Sequence, residues 1–172
     1  MKVRRFAGVS ARERDLVVRL TKRCLRELCK KEHELPTSFT EACEALTLTV
    51  KARGERSSGC RRGITIDVSA YRSGARTLLE YPAFASDRVI GSRVDAEPIA
   101  VLWGTVAHEV SHFVQYRYGP DTRWLTKTYR RAHGEGFRDI YRILRARVVN
   151  PFLESGSSDG VSVGLSASAM AS

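Results

Sequence analysis

Paired cysteines and long apolar runs are both missing from this sequence. None of the four cysteines belongs to a Cys-x-x-Cys pair, so neither a zinc ribbon nor a dithiol redox motif is expected. We expect reduced thiols, with two disulfides as the alternative. No apolar run approaches the roughly 20 residues of a transmembrane helix, so a membrane protein is not expected. The cysteines are Cys24, Cys29, Cys43 and Cys60.

Acidic residues are scarce beside basic ones. Lysine and arginine number 29 against 19 acidic residues, which gives a net charge of +10. Such an excess favours polyanionic partners, with nucleic acid ahead of an anionic membrane surface. Because no nucleic-acid-binding motif accompanies the charge, a solvated basic surface is the alternative. The basic start lacks a following apolar segment, so we expect a cytoplasmic or nucleic-acid-associated protein and no secretion.

Two basic ridges repeat at helical spacing and could follow a phosphate backbone. One lies on a helix predicted for residues 10–31, which begins with the capping box of Ser10 and Glu13. The other lies on the last predicted helix, over residues 134–149. An ordinary solvated face is again the alternative. The ridge residues are Arg19, Arg23, Arg26 and Lys30, and then Arg138, Arg142 and Arg145.

The remaining periodic patterns indicate a single α+β domain. Residues 37–46 and 95–118 are predicted to be helical, the second helix beginning at Asp95. Alternating apolar residues over 46–50 and 63–68 predict two strands, which we interpret as a hairpin with a basic loop. Between them and the long helix, short strands are predicted at 77–81 and 88–90. The domain is expected to span residues 1–154, and the Ser, Gly and Ala-rich residues 155–172 are expected to form a flexible tail.

The long predicted helix contains the sequence His108-Glu109-Val110-Ser111-His112. Histidines four residues apart lie one turn apart on a helix, so both imidazoles can reach one cation. Glu109 lies on the flank, where it can act as a general base on a water held by that cation, as in zinc peptidases. A purely structural histidine pair is the alternative. Apolar residues three and four apart predict a buried stripe on another face, which favours the metal site.

A catalytic zinc site needs three protein ligands and one open position. The metzincin pattern requires a histidine where Tyr118 stands, so that class is excluded. The gluzincin pattern would use Glu135, with Asp139 one turn later as its outer partner. His133 competes for the same role, and the spacing alone leaves both possibilities open.

The pair of motifs His-Glu-x-x-His and His133-Gly134-Glu135-Gly136-Phe137 resembles the SprT-like, or Spartan-type, metalloprotease domain. The resemblance covers roughly residues 10 to 150. It implies that His133 is the third zinc ligand, that Gly134 lets the chain turn into the last helix, and that Phe137 anchors this helix. It also implies a zincin-like fold, in which a small twisted β-sheet packs on the central helix and N- and C-terminal helices flank both. His33 is left without a role.

The resemblance implies a zinc-dependent endopeptidase with one Zn²⁺ per chain and Glu109 as the general base. Its substrates would be nucleic-acid-associated or DNA-crosslinked proteins, as in DNA–protein crosslink repair. The alternative is a nucleic-acid-binding or structural protein that keeps the zinc without proteolytic turnover, although a structural site would not need Glu109. Because zincin-type sites hold an extended peptide against a sheet edge, we predict a substrate-binding edge strand at Ile64, Thr65 and Ile66.

Overall fold

The computed structural model describes residues 1–30, 38–84, 86–118 and 131–155. Over these residues the chain forms an α+β arrangement of one four-stranded sheet and several helices. The strands are β1 (Lys2–Arg5), β2 (Thr47–Lys51), β3 (Ser58–Cys60) and β4 (Gly63–Asp67). The α-helices are α1 (Ala11–Leu28), α2 (Ser38–Ala45), α3 (Ser69–Arg72), α4 (Pro98–Tyr118), α5 (Glu135–Leu144) and α6 (Asn150–Ser155), with a 3₁₀ turn at Pro82–Phe84 and a π-helical turn at Arg145–Val149.

The sheet is mixed, with the strand order β1-β2-β4-β3. Strands β1, β2 and β4 run parallel, and β3 runs antiparallel to β4. The predicted hairpin between residues 46–50 and 63–68 is therefore wrong, since β2 and β4 are parallel neighbours. The true hairpin joins β3 to β4. It was missed because Ser58, Gly59 and Cys60 carry no hydrophobic alternation.

Strand β4 lies inside the sheet, which corrects the prediction of an edge strand at Ile64, Thr65 and Ile66. Ile64 and Ile66 are fully buried, and the strand pairs with β2 on one side and with β3 on the other. Its strong apolar alternation reflects this central position. The edge on that side of the sheet is β3, and β1 forms the opposite edge.

Helix α1 begins with the predicted capping box, in which the Glu13 backbone N–H donates to Ser10 Oγ and the Ser10 N–H donates to the Glu13 carboxylate. Leu20, Cys24 and Leu28 are buried on this helix. The predicted basic ridge is exposed on this helix at Arg19, Arg23 and Arg26. Lys30 is also exposed, but it lies beyond the end of α1 and forms an ion pair with Glu27.

Helix α4 is the centre of the fold, because it contacts α1, α3 and α5 as well as strands β3 and β4. Val106, Val110 and Phe113 are buried on it. The helix begins at Pro98, and Asp95 instead adopts a positive φ of 55° upstream of it. No helix in the described ranges has the length and apolar character needed to cross a membrane.

The chain between α3 and α4 contains little regular structure. The strands predicted at 77–81 and 88–90 are reduced to one isolated bridge between Leu78 and Arg93. Asp87 shapes this segment by accepting hydrogen bonds from the backbone N–H groups of Val89 and Ile90. It also accepts a hydrogen bond from Arg142 Nε, which holds the segment against α5.

The last helix continues beyond its predicted end at residue 149. Pro151 lies in α6, which follows the π-helical turn without a break. The basic ridge predicted there is not continuous, since Arg145 is fully buried, while Arg142 is exposed and forms an ion pair with Asp87. The described residues do not include His33, residues 119–130 or the tail beyond residue 155.

Candidate metal centre

Three histidine side chains converge at the C-terminal half of α4. Nε2 of His133 lies 3.1 Å from Nε2 of His108 and 3.2 Å from Nε2 of His112. The ligand atoms of the three residues all lie within 4.8 Å of one another. Metal–nitrogen bonds in zinc sites measure about 2.0–2.1 Å, so one cation fits between imidazole nitrogens at such separations.

Each histidine is placed by a local feature of the chain. His108 and His112 stand one turn apart on α4, and His133 lies in the turn that leads into α5. That turn is fixed to α4, since buried Gln115 donates a hydrogen bond from Nε2 to the Arg131 carbonyl at 2.8 Å. Phe137 packs beneath all three rings, with centroid distances between 4.4 and 4.9 Å.

The environment keeps the three imidazoles neutral at physiological pH. Burial, and then the proximity of the other histidines, lowers the pKa of His108 to about 3. Burial and His133 lower the pKa of His112 to about 4, and burial also lowers the pKa of His133. Neutral imidazole is the form that ligates a metal, so the cluster offers its lone pairs without first losing protons.

Glu109 lies beside this cluster and is 8% exposed. Burial raises the pKa of its carboxyl group to about 7, and a backbone hydrogen bond from Gly59 opposes that rise. A carboxyl group with such a pKa can both accept and release a proton near neutral pH. The position of Glu109 therefore suits proton transfer more than metal binding, and it is not one of the clustered ligands.

Strand β3 approaches α4 unusually closely at Gly59. A Cβ atom on Gly59 would lie 2.1 Å from the backbone oxygen of Glu109 and 2.9 Å from Cβ of His112. Only glycine fits at such a distance, so this residue allows the edge strand to run along the metal centre.

The cluster opens into a cleft of about 960 Å³. Strand β3 forms one wall of this cleft, and residues 79–82 form another. On the second wall, Tyr81 lies over His133 with a centroid distance of 3.8 Å and is 49% exposed. Tyr116 stacks on His112 with a centroid distance of 5.7 Å and also lines the cleft.

The structure separates the competing site predictions. His108, His112 and His133 come together, whereas Glu135 is exposed and lies outside the cluster. Gly59 and Gln115 were missed as site residues. A glycine signals a close backbone approach only within a recognised strand, and β3 carries no strand pattern, so neither Gly59 nor the buried glutamine had a usable signal.

Comparisons with protein-family models, with curated proteins and with solved structures find no match to this chain. The histidine cluster, the buried glutamate and the open cleft are therefore the observations from which a function can be inferred.

Proposed function

We propose that this protein is a zinc-dependent endopeptidase with a zincin-like, SprT-like domain. The observation that carries the proposal is the convergence of three histidines beside buried Glu109 in an open cleft. Three nitrogen ligands with one open side form a donor set typical of catalytic zinc, whereas structural zinc sites are closed by four protein ligands.

His108, His112 and His133 would hold one Zn²⁺ per chain. Bound there, the cation supplies Lewis acidity toward a peptide carbonyl and lowers the pKa of a water molecule. Glu109 accepts a proton from the attacking water at its carboxylate and returns that proton to the leaving amine. The close approach of Gly59 holds the Glu109 backbone against β3, which fixes the base relative to any peptide lying on that strand.

The substrate lies in an extended conformation along the open edge of β3. This strand pairs only with β4 within the described part of the chain, and it borders the same cleft as Glu109 and the histidines. An extended peptide can add to such an edge by main-chain hydrogen bonds, which requires little sequence specificity. Unfolded or flexible protein segments are therefore the proposed substrates.

Nucleic-acid-associated proteins are the proposed natural targets. The net charge of +10 and the exposed arginines of α1 support a polyanionic partner. The SprT-like motif pair supports DNA-crosslinked proteins among these targets. The second predicted ridge supports such a partner less, since Arg145 is buried and the exposed Arg142 is ion-paired.

The deciding experiment compares Glu109→Gln with wild-type protein for zinc content and for cleavage of an unfolded protein. The amide cannot accept a proton, so we expect cleavage to fall by at least about 100-fold while zinc remains bound. Glu135→Gln is the matched control, because Glu135 is an exposed glutamate close to His133 and outside the cluster. It should leave both quantities unchanged.

Undiminished cleavage by Glu109→Gln would contradict the proposed mechanism. Zinc binding by the wild-type protein without any cleavage, in the presence and absence of DNA, would instead favour the alternative of a nucleic-acid-binding or structural zinc protein.

A further inference from the structure

A second carboxylate, Glu80, is buried behind the metal centre. Its side chain is only 3% exposed, although it belongs to the irregular chain between α3 and α4. The adjacent residues Leu79 and Tyr81 point the other way, since they are 78% and 49% exposed. A buried carboxylate needs partners that offset its lost hydration, so its contacts indicate why it is there.

The two oxygens of Glu80 have different neighbours. Oε1 accepts hydrogen bonds from the Tyr141 hydroxyl at 2.5 Å and from Arg145 Nη1 at 2.7 Å. Oε2 faces His108 and lies 4.0 Å from its Nδ1 atom. Glu80 therefore stands between a buried arginine and the imidazole nitrogen that points away from the other two histidines.

Arg145 keeps this carboxylate in place. It is fully buried and also donates to the Gly91 carbonyl at 3.2 Å and to Asn150 Oδ1 at 3.1 Å. These bonds join the irregular segment to the C-terminal helices, so neither member of the pair can move freely. A buried ion pair by itself contributes little to the free energy of folding, so the neighbours of this pair indicate an additional role for it.

We propose that Glu80 is a positioning residue of the metal centre, which holds His108 in the tautomer and orientation that present Nε2 to the cation. A metal on Nε2 requires the ring proton on Nδ1, and an anionic oxygen facing Nδ1 stabilises that proton. The distance of 4.0 Å is longer than a hydrogen bond, and contacts of this kind often tighten only when the site is loaded.

This inference rests on the proposed metal site but not on proteolysis, so its test measures metal binding alone. The variants are Glu80→Gln, which places an amide N–H₂ where Oε2 faces His108, and Glu80→Asp, which keeps the charge but withdraws it from the ring. Asp87→Asn is the matched control. Asp87 is a nearly buried carboxylate of the same segment that also pairs with an arginine, Arg142, but it faces no histidine of the cluster.

We expect both Glu80 variants to lose about 10- to 100-fold in Zn²⁺ affinity, measured by competition with a chelator. Their Co²⁺-loaded forms should show an altered absorption spectrum, because the ligand ring changes orientation. Asp87→Asn should lower the melting temperature, because it weakens the pairing with Arg142, but its Zn²⁺ affinity and Co²⁺ spectrum should match those of the wild type. Equal affinities in all folded variants would make Glu80 only the partner of Arg145 and would overturn the proposal.

The wild-type protein offers a test that does not depend on the folding of any variant. Long-range ¹H–¹⁵N spectra of metal-free protein distinguish a proton on Nδ1 from one on Nε2, and we expect His108 to carry it on Nδ1. A proton on Nε2 would overturn the proposal. Zinc binding with this tautomer but without proteolysis would leave the inference standing while the endopeptidase proposal fails.

Discussion

His133 and Glu135 are two residues apart, yet only one of them reaches the other two histidines. The turn before α5, held to α4 by Gln115, directs His133 inward, while Glu135 begins α5 on its exposed side. A change of side-chain direction over two residues follows from the end of the turn and the start of the helix. The local direction of two side chains therefore decides that His133, and not Glu135, completes the histidine cluster.

His133→Ala should lose zinc, because two imidazoles from one helix turn cannot complete a three-ligand site. We expect the affinity to fall by more than about 100-fold, beyond the effect of changing an outer partner. Metal content after dialysis, together with chelator competition, measures this. Glu135→Ala is the control and should retain about one zinc per chain. The reverse pattern would assign the protein to the gluzincin class.

Asp67 is expected to give the protein part of its sensitivity to acid. Burial raises its pKa, but hydrogen bonds from Ser69 and from the backbone N–H groups of Arg53 and Glu55 outweigh burial and lower the pKa from 3.8 to about 2. A depressed pKa means that the ionised carboxylate stabilises the fold above pH 3.8. This stabilisation is then lost as the pH falls through 2.

Asp67→Asn should therefore lower the free energy of unfolding at neutral pH by about 2 kcal/mol, following the size of the pKa shift. The difference from wild type should shrink between pH 4 and pH 2. Urea unfolding at a series of pH values measures it. Asp15→Asn, at a half-exposed carboxylate on α1, is the comparison and should show a smaller effect. A difference that grows toward low pH would contradict this account.

At the scale of elements, the edge strand β3 is the part of the fold on which the site most depends. It is three residues long, carries little apolar surface, and still packs on α4 next to Glu109 and His112. Its position follows from pairing with β4 and from the missing side chain at Gly59. Because β3 forms a wall of the cleft, changes there should affect activity before they affect folding.

Gly59→Ala should displace β3 from α4, since the new Cβ would lie 2.1 Å from the Glu109 backbone oxygen. Overpacking of this kind costs about 1–3 kcal/mol. We expect a lower melting temperature and a loss of cleavage with zinc retained, because the three ligands lie on other elements. Ser58→Ala, at an exposed position of the same strand, should be nearly silent. Wild-type cleavage by Gly59→Ala would show that substrate does not use this edge.

At the scale of the whole molecule, the positive charge is not arranged as the sequence suggested. Helix α1 keeps Arg19, Arg23 and Arg26 exposed, whereas the second predicted ridge loses Arg145 to the interior and Arg142 to an ion pair. If nucleic acid binds, α1 is therefore the surface to test first. The exposed basic strand β1 offers a second cationic region for comparison.

Binding to single- or double-stranded DNA should weaken steeply with salt, because each neutralised phosphate releases counterions. Changing Arg19, Arg23 and Arg26 together to Glu should reduce the salt slope by roughly one unit per lost phosphate contact. Titrations by fluorescence anisotropy at several salt concentrations measure this. The control variant changes Lys2, Arg4 and Arg5 to Glu, which makes the same charge change on β1. Equal effects of both triple variants would indicate a dependence on net charge alone.

The sequence predicted the parts of this protein whose cause is local. Helical spacing predicted that His108 and His112 lie on one face of α4, and the Ser10 and Glu13 pair predicted the start of α1. The four cysteines are free thiols as expected. Strands β2 and β4 were found because buried strands alternate visibly. β1 and β3 were not found, since edge strands with polar or small residues carry no such pattern.

Tertiary structure alone decided which strands are neighbours, which arginine is buried and which side chains complete the site. The contacts that decide these features join residues far apart in the chain. They include the parallel pairing of β2 with β4, the ion pair of Arg145 with Glu80 and the hydrogen bond from Gln115 to Arg131. The hydrophobic periodicity of the sequence indicates only whether a side chain faces the core, and it does not indicate which residues that side chain contacts. The sequence by itself therefore determined a helix with two histidines on one face, and long-range packing determined the cleft, the edge strand and the surroundings of these histidines.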